Sequence, residues 1–283
     1  MNGPFLPSYI ARCAVLAMAL EVSGTPKPGN IDRDHDYADT RYEDFLAAAI
    51  GVYPILEKGC SEGGIGHLIL EASEESMAWQ RGGNTHFGAY ILLFPLLKAA
   101  AMGGVNEIRS NAVNLVKETT VDDAVDFYKA FSKVPVKMKG SEDLDVRDDS
   151  SLEDLRKRGM TMFDVMSISS RNDMVAAEWV DGFSRSFKAA EKLLKKRKLS
   201  TMNDATVLTF LELLSEEPDT FVAKKYDMDK AVYAQGLALD VLEHRMTLDE
   251  LAKRLYMEKI NPGSTADLII AGIFIALLNG LEV

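Results

Sequence analysis

The chain has 283 residues, 47% of them hydrophobic and 27% charged, with a formal net charge of -11. This composition supports a large buried core rather than a disordered chain, and the acidic balance excludes general nucleic-acid binding, which needs a basic face against phosphates. It leaves room for a small phosphorylated ligand held by a few local cations or a metal. Two cysteines, Cys13 and Cys60, are too few for a disulfide framework or a Cys-rich zinc site, and a reducing cytoplasm is the expected compartment.

From the N-terminus, an apolar stretch runs over 11–22 but contains Arg12 and ends at Glu21. It is too short to span a membrane and lacks the basic leader of a signal peptide. Residues 7–22 instead predict a buried, Ala- and Leu-rich helix. Further helices are expected over 42–57 and 86–102, the second with a kink at Pro95. The pattern continues over 105–118 and 121–131, then a long amphipathic run over 174–198. Helices follow at 203–214, 229–245, 247–257 and 264–279. No alternating strands bounded by hairpin turns occur. The expectation is an all-α fold, one domain over 1–283, built as a multi-helix bundle. Its most apolar helices, 7–22, 86–102 and 264–279, belong at the centre. Two polar stretches interrupt the helices, 23–41 and 132–160, and the second reads as a lid or an insertion.

Three constellations can carry chemistry. The first, Glu21-Val22-Ser23-Gly24-Thr25-Pro26-Lys27-Pro28-Gly29-Asn30-Ile31-Asp32-Arg33, directly follows an apolar helix. Its prolines stiffen the loop, so Lys27, Asp32 and Arg33 can face a phosphate or a metal; a plain polar connection explains the pattern equally well. The second, Arg81-Gly82-Gly83-Asn84-Thr85-His86-Phe87-Gly88, leads into a helix that Asn84 or Thr85 can cap. Its free N–H groups suit an anion, and His86 can serve as base, metal ligand or phosphate donor; an ordinary capped loop is the alternative. The third, Asn261-Pro262-Gly263-Ser264-Thr265-Ala266-Asp267, opens the last helix. Ser264 and Asp267 have capping-box spacing, yet Asp267 heads a helix so apolar that its carboxylate is a candidate for burial beside a partner or a metal.

Weaker signals are His67 with Glu71 on one helical face, Arg171-Asn172-Asp173 between two helices, and the Lys195-Lys196-Arg197-Lys198 run, which reads as a solvated helix end.

Taken together, the three constellations resemble one family, the triphosphoribosyl-dephospho-CoA synthases. Family members carry E-V-S-x-T-P-K-P-G-L-V-D-R, N-T-H-K-G and P-G-G-S-A-D-L-L segments. Here these read EVSGTPKPGNIDR at 21–33, NTHFG at 84–88 and NPGSTADLI at 261–269. The resemblance implies an enzyme that joins ATP to 3′-dephospho-CoA. The acceptor ribose 2′-hydroxyl attacks C1′ of the ATP ribose and adenine leaves. Such a step needs a base, assistance to the leaving adenine, and Mg²⁺ with cations on the triphosphate.

On this resemblance Glu21 is the leading base or metal candidate, with His86 and Asp32 as further catalytic candidates. Lys27 and Arg33 hold phosphate oxygens, and Asn84 and Thr85 bind phosphate with His86 at the helix start. Asp32 and Asp267 hold Mg²⁺, since hard oxygen ligands suit that ion. Ser23, Gly29, Gly88, Gly263 and Ser264 are ligand-binding positions within the motifs, and Arg171 and Asp173 are secondary ones. The implied partners are ATP and a small nucleotide-like acceptor such as dephospho-CoA, with no nucleic acid and no membrane; a homodimer stays open.

The sequence also departs from the pattern. Asp39 and Arg41 stand where the family has a His and an Asp, and Phe87 replaces the Lys of N-T-H-K-G. Asp219-Thr220-Phe221-Val222-Ala223-Lys224-Lys225 replaces a D-T-x-x-x-R-G-G-like stretch, and Ser264-Thr265 alters the P-G-G-S turn. The departures leave open another hydroxylated or aminated acceptor, an N-glycosidic hydrolase that uses water, or a nucleotide-binding protein without catalysis.

Overall fold

The computed structural model describes residues 3–134 and 149–283. Among the described residues there are helices and no strand; the single extended pairing is a bridge between Asp32 and His35. In chain order the helices are α1 (Pro7–Ser23), α2 (Tyr42–Gly51), α3 (Tyr53–Gly59), α4 (Ile65–Trp79), α5 (Phe87–Met102), α6 (Ile108–Lys117), α7 (Val121–Lys133) and α8 (Asp149–Arg158). They continue with α9 (Met162–Ser169), α10 (Met174–Val180), α11 (Ser184–Arg197), α12 (Met202–Glu216), α13 (Thr220–Lys225), α14 (Met228–Leu242), α15 (Leu248–Met257) and α16 (Gly263–Leu278). None is long and apolar enough to cross a membrane.

The expected central trio is central. Beyond Asp267 α16 carries no polar side chain and is buried on all sides, as a helix apolar all round must be. It packs on α1, α5 and α11. Gly272 permits the closest approach, since a Cβ there would lie 2.6 Å from the Ala189 Cβ of α11. Fully buried side chains such as Leu92, Ile269 and Phe274 each contribute roughly 1.5–3 kcal/mol of hydrophobic stabilisation.

Pro95 lies inside an uninterrupted α5. Its missing N–H leaves the carbonyl of Ile91, four residues earlier, without its helical donor. The buried indole of Trp179 on α10 supplies one, Nε1–H donating to that oxygen at 3.1 Å.

Two expected helices are each divided. The 42–57 helix breaks between α2 and α3, where Pro54 has no amide to continue the ladder and fits the first turn of a new helix. The 174–198 run breaks at Gly182 and Phe183, both at positive φ (67° and 57°). The buried Glu178 then accepts the Arg185 and Ser186 amides at 3.0 and 2.9 Å, starting α11 in a new direction. The 105–118 helix opens with a 3₁₀ turn at Val105–Glu107. Of the expected lid or insertion at 132–160, residues 135–148 lie outside the described residues; α8 occupies part of the remainder. The short helices α9 and α13 have too few turns for a periodic signal.

Candidate active site

The polar end of the central helices opens into a cleft. All three constellations contribute to its lining: Glu21, Lys27 and Asn30 from the first, Asn84, Thr85 and Gly88 from the second, and Asn261, Gly263, Ser264 and Asp267 from the third. Their meeting follows from the topology, because α5 and α16 begin, and α1 ends, at the same end of the packed trio. The N-termini of two long helices therefore point at one volume; Asn84 takes the Phe87 amide and Asp219 the Thr265 amide, and the helix dipoles favour anions beside the remaining amides.

The loop after α1 is built around Asp32. Its Oδ2 accepts the Lys27 amide at 2.9 Å, and its Oδ1 accepts the Asp34 amide at 2.9 Å and contacts His35 Nδ1 at 2.8 Å. Gly29, at φ 73°, lets the loop pass against the Ile260 carbonyl, which a Cβ would strike. The loop thereby folds Lys27 inward, where its Nζ bonds Glu21 Oε1 and, at 2.9 Å, the Glu21 carbonyl oxygen. Both side chains are buried. Burial raises the Glu21 carboxyl above its ordinary range; the Lys27 ammonium opposes this and the Asp32 charge adds to it.

Asp267 faces the cleft one turn into α16. It caps α5 instead of its own helix, accepting the Ala89 amide; α16 has Pro262 at its N-cap and no capping box. Burial holds the Asp267 carboxyl well above its ordinary range, and the charges of Glu21, Asp219 and Asp173 push it the same way. Opposite, Asp173 caps α10 through Oδ1, accepting the Val175 and Ala176 amides at 2.8 and 3.1 Å, while its Oδ2 pairs with Lys224 of α13. An apolar wall completes the cleft. Phe87 stacks on Phe127 (centroids 5.9 Å apart) and meets Phe131 edge-on at 4.6 Å, with Ile91 and Ile270 beside them.

Several expected site residues lie elsewhere. Asp32, expected as a catalytic and metal-binding group, does not line the cleft; its oxygens bond within the loop. Arg33 is exposed, 3.8 Å from Asp34. Ser23 bonds the Ala19 carbonyl at 2.6 Å and Tyr42 at 2.9 Å, away from the cleft, and Gly29 shapes the loop without lining the cleft. Arg171 is exposed. His86 is buried behind the cleft wall, its Nε2 3.1 Å from the Phe45 carbonyl. Burial holds its imidazole down to about 4, against the pull of that carbonyl, so it is neutral at physiological pH and unsuited to donating a proton to phosphate. Asp39 and Arg41 are exposed. Lys224, Asn30 and Asn261 were not singled out by the motifs. Lys224 had a signal, since it stands at the Arg position of the D-T-x-x-x-R stretch.

Among the described residues, the cleft in this all-α core gathers two helix N-termini, Lys27 and Lys224 with Glu21, Asp173 and Asp267, a lining suited to a charged, polar ligand. The family model described as ATP:dephospho-CoA triphosphoribosyl transferase matches residues 7–283. A crystal structure from Archaeoglobus fulgidus, provisionally assigned as a triphosphoribosyl-dephospho-CoA synthase, is similar at 29% identity and a TM-score of 0.71, over 84% of this chain and 100% of that one. No curated protein matches the sequence. The chain belongs to the ATP:dephospho-CoA triphosphoribosyl transferase family, whose members are pentosyl transferases.

Proposed function

We propose that this cleft transfers the triphosphoribosyl group of ATP to the 2′-hydroxyl of 3′-dephospho-CoA, releasing adenine. The observation that carries the reading is the convergence of Glu21, Thr85 and Asp267, from three segments far apart in sequence, on one volume.

Glu21 is the base. Its raised proton affinity brings a carboxylate closer to the range where general-base catalysis is efficient. The acceptor hydroxyl proton passes to its carboxylate as the oxygen attacks C1′; the electrons of the C1′–N bond leave with the base, which takes up a proton to depart as adenine. Lys27 beside it keeps Glu21 ionised before the step. The Gly88 and Ser264 amides in the first turns of α5 and α16 offer N–H donors to the triphosphate.

Asp267 is the carboxylate here that suits Mg²⁺. It is a hard oxygen donor facing the cleft, and burial and neighbouring negative charge disfavour its ionised form unless a cation stands beside it. Magnesium is commonly held by one or two carboxylates plus substrate phosphates. When bound, the ion supplies charge neutralisation on the triphosphate. The Phe87–Phe131 wall, at the position where the family motif has a lysine, suits an uncharged part of the acceptor better than a phosphate.

The test is free adenine, measured by chromatography after mixing protein, ATP and Mg²⁺ with and without dephospho-CoA. Adenine formed only with the acceptor supports transfer. Adenine formed without it indicates hydrolysis, and none in either mixture overturns the reading.

A further inference from the structure

We propose that Lys224 is a polyphosphate-binding residue, held in place by Asp173 and exchanged from that carboxylate onto the incoming anion. The inference rests on the ATP reading of the cleft and assigns its phosphate subsite. Two lysines, Lys27 and Lys224, line the cleft among the described residues. Lys27 is committed: its side chain is 1% exposed and its ammonium is fixed by the carboxylate and the carbonyl of Glu21. Arg33 lies outside the cleft. Lys224 differs from both, being 25% exposed and paired with a carboxylate that is itself 24% exposed.

The mount of Lys224 is fastened on two sides, while its ammonium is tied by the single pair with Asp173. The fully buried Asp219 accepts the Val222 amide at 3.0 Å and the Thr265 amide and hydroxyl at 2.7 and 2.8 Å, fastening the start of α13 to the start of α16. Thr220 Oγ1 accepts the Met174 amide at 3.1 Å and lies 3.2 Å from Ser264 Oγ, tying α13 to α10 as well. Above that mount stands a four-carbon stem that carries a compact point charge and is flexible by nature. Asp173 stays in place when that charge leaves, because its other oxygen caps α10. Partly exposed ion pairs are weak, with a median near 0–1 kcal/mol. A triphosphate beside two helix N-termini offers Lys224 more negative charge than one carboxylate does, so the exchange favours the ligand.

The experiment is calorimetric titration with inorganic tripolyphosphate in chelator, so that no metal bridges the result. The proteins are wild type, Lys224→Met, Asp173→Asn and Lys225→Met, each checked for unchanged thermal unfolding. Lys225 lies on the same helix but turns its Nζ to the Lys259 carbonyl. Lys224→Met is expected to lose at least tenfold in affinity. Asp173→Asn, which keeps the cap and removes the competing charge, should bind several-fold tighter, and Lys225→Met should match wild type. Wild-type affinity in Lys224→Met, equal loss in Lys225→Met, weaker binding in Asp173→Asn, or no binding by wild type each overturns the assignment. Tripolyphosphate binding is read without adenine release, so failure here and failure of the transfer reaction are separate results.

Discussion

Gly88 and Asp267 compete for one space: a Cβ on Gly88 would fall on Oδ2 of Asp267. The glycine of the second constellation is therefore required by the aspartate of the third, and the two motifs form one device. Gly88→Ala should displace the Asp267 carboxyl, abolish adenine release and destabilise the fold. Gly236 is the control. It is exposed within α14 with nothing within 4 Å of its Cβ position, so Gly236→Ala should stabilise by about 0.5–1 kcal/mol and leave activity intact. Thermal unfolding and the adenine assay on both variants check the pair.

Asp267→Asn should stabilise the ligand-free protein while removing Mg²⁺-dependent nucleotide binding. The amide oxygen can still accept the Ala89 N–H, but the negative charge that burial and Glu21 oppose is gone. In domains approaching this size each kcal/mol of relief raises Tm by roughly 2–4 °C. Differential scanning calorimetry without ligand should show a higher Tm, and titration of ATP should show equal affinity in Mg²⁺ and in chelator. A lower Tm in Asp267→Asn would contradict the account.

The Glu21–Lys27 pair calls for a double-mutant cycle. Leaving one buried charge without its partner costs about 3–5 kcal/mol, whereas replacing both together is often neutral. Lys27→Met should therefore be strongly destabilised, and Glu21→Gln/Lys27→Met should recover most of the loss in urea unfolding. Additive losses would mean that the two charges do not compensate each other.

His86 makes the stability of the protein depend on pH. Its folded-state value is held down to about 4 from 6.5, so the unfolded chain takes up a proton first on acidification. The stabilisation is complete above about pH 6.5 and is lost as pH falls toward 4, on the order of 3 kcal/mol in all. Glu21 and Asp267, with raised values, act in the opposite sense, so the comparison between variants isolates the imidazole. His86→Gln should flatten the acid limb of the wild-type unfolding profile between pH 6.5 and 4. Parallel profiles would show that His86 is not buried neutral.

The helical class and the central trio were legible because α1, α5 and α16 are apolar over three or more turns. The divisions at Val52 and at Gly182 were not, because the apolar pattern runs through them while backbone geometry breaks the helices. The site was legible as segments but not as side chains. Asp32 has the composition of a ligand, yet its carboxylate is turned to the amides of its own loop, and the sequence does not show which way a loop turns an acid. His86 sits one position before α5 and turns toward Phe45. Lys224 was hidden because its stretch lacks the expected glycines, although it carries the same charge as the arginine of the motif.

The central claim is that chemistry in this cleft runs through the Glu21 carboxylate. The most direct measurement is the rate of adenine release by Glu21→Gln, with ATP, Mg²⁺ and dephospho-CoA saturating and circular dichroism confirming that the variant is folded. Loss of a general base lowers rates by roughly 10²–10⁴, so the account predicts a fall of at least a hundredfold with ATP affinity changed less than tenfold. Adenine release by folded Glu21→Gln at the wild-type rate would contradict it.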